Sequence, residues 1–598
     1  MLIGALCDYY DILAKEGKVL PNGYSNVNVN YMISLTTDGY IDEIIDIQKK
    51  EAISDKGGKI RERTSPKKIV MPQRTEKPGI DANIIEHRPL YIFGLNYDTK
   101  SQNFYAEDRT DKAKKSHDSF VKKNLEFLEG LHSPVIDAYR NFIINWKSTV
   151  ETENVFLKEI GKDYSKSGYV FCLTGAPDSP LHEDTQIQDR WVQYINHTKI
   201  EDDAVIAQCA ISGKEEEIAR IHGKIKGIIG GQSSGTVLVS FKNPSESSYG
   251  NDQSYNSNIS ESNMKKYTEA LNFLLSSKKH KELLDEVTVV YWAMNQNEGN
   301  EDLLSSLLFG NTDNMNKEQV DEMLQSIMTD AAEGKVVTSR LTNTCNIDPD
   351  VDFYMVGIKP NASRLSVKFI YRKKFGDILW NIAQHQKDMR MSKKIESIAL
   401  WQIKKELISP KSKNENVSPA LISKLLESIM YGTKYPSSLL ETNIRRIKTD
   451  AGQKLNSIRV GIIKAYINRK KRIYNKEEEF KLALDKENKN QAYLCGRLFA
   501  VLEKLQQDIS NNSLNRTIKD SYFASASSKP AIVFPKLLKL AQNHLNKSKS
   551  ATYYNILIGE IIDGLNGEFP DTLLLEDQGR FIIGYYQEYQ NFFIKKEN

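Results

Sequence analysis

Three short segments contain residues typical of nuclease or protease metal sites, and each is incomplete. His117 and Asp118 are adjacent, as in HD-type nucleases, but that chemistry needs further histidines and an aspartate around the metal. His182, in "HEDTQ", lacks the second histidine of a zinc protease. Pro349 and Asp350 are not followed within about 25 residues by the Asp/Glu-x-Lys of a restriction-type nuclease. We therefore expect no metal, no cofactor and no catalytic activity.

The stretch "IHGKIKGIIGGQSSGTVLVSF", residues 221–241, has the glycine content of a phosphate-binding loop. A P-loop needs Gly-Lys-Ser/Thr at its end and a helix after it. Gly230 and Gly235 have the right spacing, but Thr236 and Val237 follow them, and "TVLVSF" is β-rich and alternating. The stretch therefore predicts a β-hairpin rather than a nucleotide cradle.

In that hairpin, we expect the incoming strand to have one cationic and one buried face. Strand alternation places His222, Lys224 and Lys226 on one face and Ile221, Ile225 and Ile229 on the other. The loop "GGQSSG" has little side-chain bulk, so its backbone can approach a groove of nucleic acid. The sequence therefore predicts a hairpin whose tip is polar, uncharged and flanked by lysines.

The polar segment "KNPSESSYGNDQSYNSNIS" follows the hairpin and predicts a loop. Its Asn, Gln and Ser side chains can contact base edges, and Tyr249 or Tyr255 can stack on an unpaired base, although a surface loop has the same composition. The predicted DNA-recognition residues of hairpin and loop are Lys224, Lys226, Gly231, Gln232, Ser233, Ser234, Asn243, Tyr249, Gln253 and Asn256.

Two segments are strongly basic in a chain whose net charge is only +4. Residues 56–77 have eight basic side chains against two glutamates, with glycines and prolines that predict an irregular loop. Residues 445–476 have eleven basic side chains and one acid, Asp450, on a predicted helix. Each is either a solvated surface or a contact to a nucleic-acid backbone. The predicted backbone contacts are Lys56, Lys59, Arg61, Arg63, Lys67, Lys68, Arg74, Arg445, Arg446, Arg459, Lys464, Arg469, Lys470, Lys471 and Arg472.

The helices and strands predicted around these residues indicate an α+β fold. The first 385 residues mix helices with short strands, among them "LYIFGL", "GYVFCL", "TVLVSF", "VTVVYWAM" and "LSVKFIY". From about Asp377 the apolar period becomes helical and stays so. We therefore predict a mixed region with antiparallel hairpins at 1–385 and a helical bundle at 386–598.

Composition limits the class of protein. A chain of 598 residues predicts several domains, and no run is apolar enough to span a membrane. The five scattered cysteines fit neither a disulfide framework nor a zinc knuckle, and we expect a cytoplasmic location.

Ordered motifs along almost the whole chain resemble one family, the large subunit of the type I-C CRISPR Cascade complex. They are "MLIGALCDYYDIL", "PQRTEKPGIDAN", "KIKGIIGGQSSGTVLVSFKNPSESSYGNDQSYN", "GIKPNASRLSVKF", "YGTKYPSSLLETNIRRI", "GRLFAVLEKLQQD" and "FPDTLLLEDQGRFIIGYY".

The resemblance implies a non-catalytic subunit of an antiviral ribonucleoprotein. It implies recognition of the protospacer-adjacent motif (PAM) on duplex target DNA, help in opening an R-loop, and recruitment of a separate helicase-nuclease. The implied partners are guide RNA, the displaced DNA strand, the Cascade backbone and guide-end subunits, and a small subunit made by internal translation that resembles about residues 480–598. The alternatives are a metal-dependent nuclease of a defence system and a free-standing RNA-binding scaffold.

Overall fold

The computed structural model describes residues 2–21, 23–54, 60–74, 79–106, 112–197, 205–313, 315–332, 347–412, 416–450, 455–510 and 516–594. Tertiary contacts divide the chain into two compact units. The amino-terminal unit comprises Leu13–Ala219 and Asn258–Lys266, and the carboxy-terminal unit comprises Met1–Ile12, Arg220–Ser257 and Tyr267–Asn598. The predicted boundary near 385 marks a change of secondary structure, and as a domain boundary it stays a prediction.

Helix α1 spans Leu2–Lys15, as its apolar stripe predicts, with Leu6, Tyr10 and Leu13 buried. The strands that follow are β1 (Tyr24–Val29), β2 (Tyr31–Leu35), β3 (Ile41–Asp46), β4 (Lys49–Ser54), β5 (Ile60–Ser65), β6 (Lys67–Pro72), β7 (Asn96–Asp98), β8 (Asn103–Tyr105), β9 (Tyr169–Leu173), β10 (Ile206–Gln208) and β11 (Glu215–Glu217). The helices of the same region are α2 (Pro89–Phe93), α3 (Lys112–Phe127), α4 (Pro134–Asn145), α5 (Val155–Ile160) and α6 (Thr185–His197).

The core of the amino-terminal unit lies on a three-stranded sheet. Strand β2 is central, antiparallel to β3 and parallel to β9, with Tyr31 opposite Tyr169. Strands β1 and β6 form a separate antiparallel pair, as do β4 and β5. Buried aromatic rings fill the space beside the sheet, and the centroids of Tyr139 on α4 and Phe171 on β9 are 4.7 Å apart.

The segment "LYIFGL" is helical, and the prediction of a strand there is wrong. Pro89 occupies the first turn of α2, where its missing N–H costs nothing. Gly94 caps the helix in the left-handed conformation at φ 63°. These two end signals outweigh the β-forming composition between them.

The carboxy-terminal unit is built on a four-stranded antiparallel sheet with the order β12-β13-β14-β15. Helix α7 (Glu261–Ser276) precedes β12 (Lys281–Leu284) and β13 (Val287–Ala293), and β14 (Asp352–Asn361) and β15 (Arg364–Lys374) form a long hairpin. The described helices between and after these strands are α8 (Gly299–Leu304), α9 (Lys317–Ala332), α10 (Phe375–Met389), α11 (Leu400–Leu407), α12 (Pro419–Tyr431), α13 (Ser437–Thr449), α14 (Ser457–Ile473), α15 (Gln491–Ile509), α16 (Ile518–Ala526), α17 (Pro530–Leu545), α18 (Ala551–Gly564) and α19 (Leu575–Asn591).

Two apolar clusters hold this unit together. The first joins one face of the sheet, including Tyr291 and Phe353, to helices α10–α14. The second lies among the last helices, where α15 and α19 pack so closely that a Cβ at Gly496 would lie 2.0 Å from the carbonyl oxygen of Phe581. The predicted α+β class, with hairpins first and helices last, is confirmed.

Candidate nucleic-acid interface

Residues 221–256 form an ordered surface segment of the carboxy-terminal unit, with less β-structure than the predicted hairpin. One antiparallel pair remains, in which Ile225 and Thr236 exchange backbone N–H···O bonds of 2.7 and 2.8 Å. Val237 instead pairs with the start of β15, in a parallel bridge to Arg364. Its N–H donates to the Ser363 carbonyl and its carbonyl accepts from Leu365, both at 2.9 Å. The prediction of two regular strands is therefore wrong.

The tip of the segment is a tight turn. The N–H of Gly235 donates to the carbonyl of Gln232 at 2.9 Å, and Gly235 has φ +93°. A Cβ at Gly235 would lie 3.0 Å from the carbonyl oxygen of Ile225, so glycine is required on both counts. Gln232, Ser233 and Ser234 are exposed as predicted, whereas Gly231 is only partly exposed.

The predicted two faces of residues 221–229 are wrong for three side chains. His222 is buried and its Nδ1 lies 2.5 Å from the hydroxyl of Tyr267, while Ile221 and Ile229 are exposed. Burial lowers the pKa of His222 to about 4. Strand alternation fails here because residues 221–224 form no strand.

Lys224 and Lys226 keep the exposed positions predicted for them because helix α7 fixes their backbone. The side-chain amide of Asn272 accepts from the N–H of Lys226 at 2.8 Å and donates to the carbonyl of Lys224 at 3.1 Å. Both ammonium groups therefore flank the tip from a rigid base.

A second turn, at residues 242–246, is tied to the sheet through Glu246. Its carboxylate accepts the N–H groups of Lys242 and Asn243 at 2.7 and 3.2 Å. Arg364, the first residue of β15, donates to both oxygens of Glu246 at 2.6 and 2.8 Å. Hydrogen bonding from Arg364 lowers the pKa of Glu246 to about 2. Lys242 and Asn243 are exposed on this turn.

Residues 248–256 form a loop that presents Tyr249. Asn256 closes the loop, since its Oδ1 accepts from the N–H of Ser248 at 2.7 Å and its Nδ2 donates to the carbonyls of Asn251 and Gln253, each at 2.9 Å. The amide of Asn256 is thus used inside the loop, contrary to its predicted base contact. Tyr249 is fully exposed with φ 54°, and Gln253 is exposed with φ 47°.

The basic segment at 445–472 is mostly an internal ion-pair system, so the prediction of a nucleic-acid surface there is wrong for most of its residues. Arg459 is buried, with its guanidinium 2.8 Å from Glu406 and 2.6 Å from Asp450. Arg446 also lies near Asp450, at 3.6 Å. Lys464 is buried, and burial lowers the pKa of its ammonium group. Arg445 alone of these keeps an exposed side chain.

The "RKKR" at 469–472 is likewise paired within the unit. Arg469 is buried and Arg472 partly buried, and their guanidinium groups lie 3.4 and 2.6 Å from the buried carboxylate of Asp388 on α10. The guanidinium of Arg469 also lies 4.2 Å from the ring centroid of Tyr435. Lys470 pairs with Glu576, and Lys471 lies 3.4 Å from Glu479. Asp388 and Glu576 are remote in sequence and Glu479 lies just beyond residue 476, so the charge count of residues 445–476 did not include them.

The described part of the first basic segment, residues 60–74, is mostly β-structure rather than the predicted irregular loop. Lys56 and Lys59 lie outside the described residues, and the backbones of Arg61 and Arg63 lie in β5, with side chains outside the described part. Lys67 and Lys68 are exposed on β6. Their contact with a nucleic-acid backbone stays a prediction.

The guanidinium of Arg74 forms its hydrogen bonds within the protein. Its guanidinium donates to the carbonyls of Pro72, Ile85 and Ile84 at 2.8, 3.0 and 3.3 Å. Burial lowers the pKa of Arg74 to about 10. The predicted direct role in holding a nucleic-acid backbone is therefore replaced by a structural one.

Two of the candidate metal residues, His117 and His182, are in environments of their own, the first bonded to the backbone and the second buried. His117 places Nδ1 2.9 Å from the carbonyl of Tyr91, and burial lowers the pKa of His182 to about 4. Among the described residues, no three His, Cys, Asp or Glu side chains are grouped for a metal ion.

The described cysteines, Cys7, Cys172, Cys209 and Cys495, are buried and free of disulfides, and Cys345 lies outside the described residues. No described helix has the length and apolarity to cross a membrane.

Sequence reasoning missed the residues that position the interface. Glu246, Arg364 and Asn272 are ordinary polar residues in the sequence, and they meet only through the fold. Lys242 could have been predicted from the sequence, because it lies beside Asn243 in the same polar segment.

Comparison with known proteins gives one match of nearly full length. The family model described as CRISPR-associated protein (Cas_Csd1) matches residues 6–593. No curated protein matches the chain. With almost every residue covered by that model, the chain belongs to the CRISPR-associated Cas_Csd1 family and is a component of a CRISPR system.

Proposed function

We propose that this protein is the non-catalytic large subunit of a type I-C CRISPR Cascade complex and that residues 221–256 recognise the protospacer-adjacent motif. The observation that supports this most directly is the exposed group Gln232, Ser233, Ser234 and Tyr249, which is held by buried or paired anchors. Uncharged amide and hydroxyl groups discriminate base edges, and the lysines beside them attract phosphates.

The supporting structure is rigid where recognition needs it. Asn272 fixes the backbone beneath Lys224 and Lys226, and Arg364 fixes Glu246 beneath the turn at Asn243. Tyr249 has no buried apolar contact to hold it, since its side chain is fully exposed. An exposed aromatic ring of this kind is suited to stacking on a base that has lost its partner during duplex opening.

In this proposal, guide RNA selects the target by base pairing, and the protein inspects only the short motif and the strand backbones. The exposed Lys67 and Lys68, and Arg445 in the other unit, are the remaining candidates for backbone contacts. Strand cleavage is assigned to a separate helicase-nuclease that the complex recruits once the R-loop has formed. The chain also binds the Cascade backbone and guide-end subunits, and helices α15–α19 correspond to the small subunit made by internal translation.

The test is target-DNA binding by the reconstituted complex with correct and altered motifs. The variant Lys224→Ala, Gln232→Ala, Ser233→Ala removes one cation and two polar groups from the exposed tip. We expect affinity for the correct motif to fall towards that for the altered motif. Discrimination equal to that of the wild type would refute the assignment of the tip.

The matched control is Lys536→Ala, Gln542→Ala, Ser550→Ala. It removes the same three residue types from exposed positions on and after α17. We expect this variant to discriminate motifs like the wild type. The purified wild-type chain is also incubated with DNA and Mg²⁺ or Mn²⁺, where strand scission that EDTA abolishes would favour the nuclease alternative.

A further inference from the structure

A cavity of about 790 Å³ lies within the amino-terminal unit, away from residues 221–256 in the chain. It is bounded by residues of β1, α2, the start of α3 and the segment 164–168. This volume lies in the range of protein sites that enclose a small organic ligand.

The lining of the cavity is basic. Arg74, Arg88, Lys112 and Lys166 contribute to it together with His87, and no Asp or Glu is among its described lining residues. The charge of Arg88 is balanced from behind the wall by Glu86, whose oxygens lie 2.9 and 2.7 Å from its Nε and Nη2. Arg74 donates to carbonyls in the hydrogen bonds described above, and its charge also interacts with that of Glu86.

The cavity also offers a planar cation and neutral polar groups. The guanidinium of Arg88 lies 3.7 Å from the ring centroid of Tyr91, which is buried, so Arg88 is the partly exposed member of this stacked pair. The hydroxyl of Tyr164 donates to the Leu95 carbonyl at 3.0 Å and so holds that part of the wall. Asn26, Asn28 and Asn96 line the same space and supply amides.

We propose that this cavity binds one nucleotide, with its phosphate near Lys112 and Lys166 and its sugar and base against the stacked Arg88–Tyr91 pair and the asparagines. A basic rim selects the phosphate, and a guanidinium plane backed by an aromatic ring, with amides beside it, suits an unpaired base. The nucleotide comes either from a single strand of nucleic acid or from the free nucleotide pool. The first source rests on the proposed function, and the cavity chemistry is the same for both.

The experiment measures binding to the purified full chain by calorimetry. The probes are thymidine 5′-monophosphate, thymidine, and five-nucleotide strands of oligothymidylate and oligouridylate. Lys112→Glu, Lys166→Glu reverses two exposed rim charges, and the control Lys114→Glu, Lys162→Glu reverses two exposed charges on the same helix α3 and the same short 161–166 turn. None of these four lysines is buried, so folding is retained, and a melting curve checks this.

We expect thymidine 5′-monophosphate to bind saturably. The affinity for thymidine should be lower by about tenfold or by a larger factor. The rim variant should weaken phosphate-dependent binding by about tenfold, with the control within about twofold. Tighter binding of either five-nucleotide strand than of the mononucleotide assigns a strand as the source, and equal binding assigns the free nucleotide. Absence of saturable binding by every phosphate probe, or equal losses in rim and control variants, overturns the proposal.

These outcomes are distinguishable from failure of the proposed function. A chain that binds thymidine 5′-monophosphate through the rim lysines but assembles into a complex without motif discrimination would contradict the proposed function alone. A complex that discriminates motifs while the chain lacks phosphate-dependent binding would contradict the cavity proposal alone.

Discussion

Arg364 and Glu246 form a two-pronged ion pair, with Nη1–Oε1 and Nη2–Oε2 distances of 2.6 and 2.8 Å. Arg364 begins β15, and Glu246 also holds the N–H groups of Lys242 and Asn243. The pair therefore connects an exposed turn of the candidate interface to the four-stranded sheet.

Replacing Arg364 with alanine should loosen this turn without unfolding the protein. Ion pairs near the surface contribute little to stability, so the free energy of unfolding should change little. Backbone amides at 242–247 should exchange hydrogen faster, as measured by mass spectrometry, and motif discrimination should fall. Arg372→Ala is the control, because Arg372 pairs with Asp352 at the other end of β15. Unchanged exchange at 242–247 in Arg364→Ala would contradict this role.

Replacing Lys67 and Lys68 with serine should reduce DNA affinity in a salt-dependent manner that ignores motif sequence. The slope of log affinity against log salt should shrink by ~0.9 for each phosphate of B-form DNA that the variant no longer neutralises. Titrations of the complex at several salt concentrations measure this slope. The exposed pair Lys536→Ser, Lys539→Ser on α17 is the control, and equal slopes in all three proteins would exclude DNA binding by β6.

Asp388→Ala should destabilise the carboxy-terminal unit strongly. It removes the carboxylate that faces both Arg469 and Arg472 and leaves a buried guanidinium without its acid. Loss of one partner of a buried ion pair costs about 3–5 kcal/mol. Denaturant unfolding measures the loss, with exposed Asp377→Ala on the same helix α10 expected to cost less than about 1 kcal/mol. Similar costs for the two variants would show that the Asp388 pairs add little.

The pH dependence of stability should include a contribution from His222. Its folded pKa is lowered to about 4 by burial, whereas an unfolded histidine has a pKa of about 6.5. The folded state therefore disfavours the proton, and this stability is present above pH 6.5 and lost as the pH falls towards about 4. In His222→Gln, the free energy of unfolding should fall less steeply between these pH values. His182 and His385 titrate in both proteins, so the difference isolates His222. Identical slopes would exclude a titrating His222.

Local sequence patterns were sufficient for the elements whose partners are their own neighbours. The stripe of Leu6, Tyr10 and Leu13 predicts α1, and the helical period after Asp377 predicts the succession of helices that the fold contains. The predicted strands at 168–173, 287–294 and 365–371 also correspond to β9, β13 and β15.

Patterns that depend on distant partners were misleading. The sequence around Arg469 contains few acids, yet Asp388 and Glu576 approach it from other helices and neutralise the segment. At His222, the buried position depends on Tyr267 of α7, which no local period contains. The exposed tip at Gln232–Ser234 was predictable because a short glycine-bounded polar turn needs no partner to stay at the surface.

Val237 makes the tip an extension of the β14–β15 hairpin, through its two backbone bonds at residues 363 and 365. The backbone hydrogen bonds of Val237 to residues 363 and 365 therefore hold the tip against the sheet without a ligand. Ordering a mobile loop upon association costs conformational entropy, whereas a preformed loop leaves little backbone freedom to lose. If the tip recognises duplex DNA as proposed, the consequence is also kinetic, because brief encounters along a long duplex need no folding of the protein around each site.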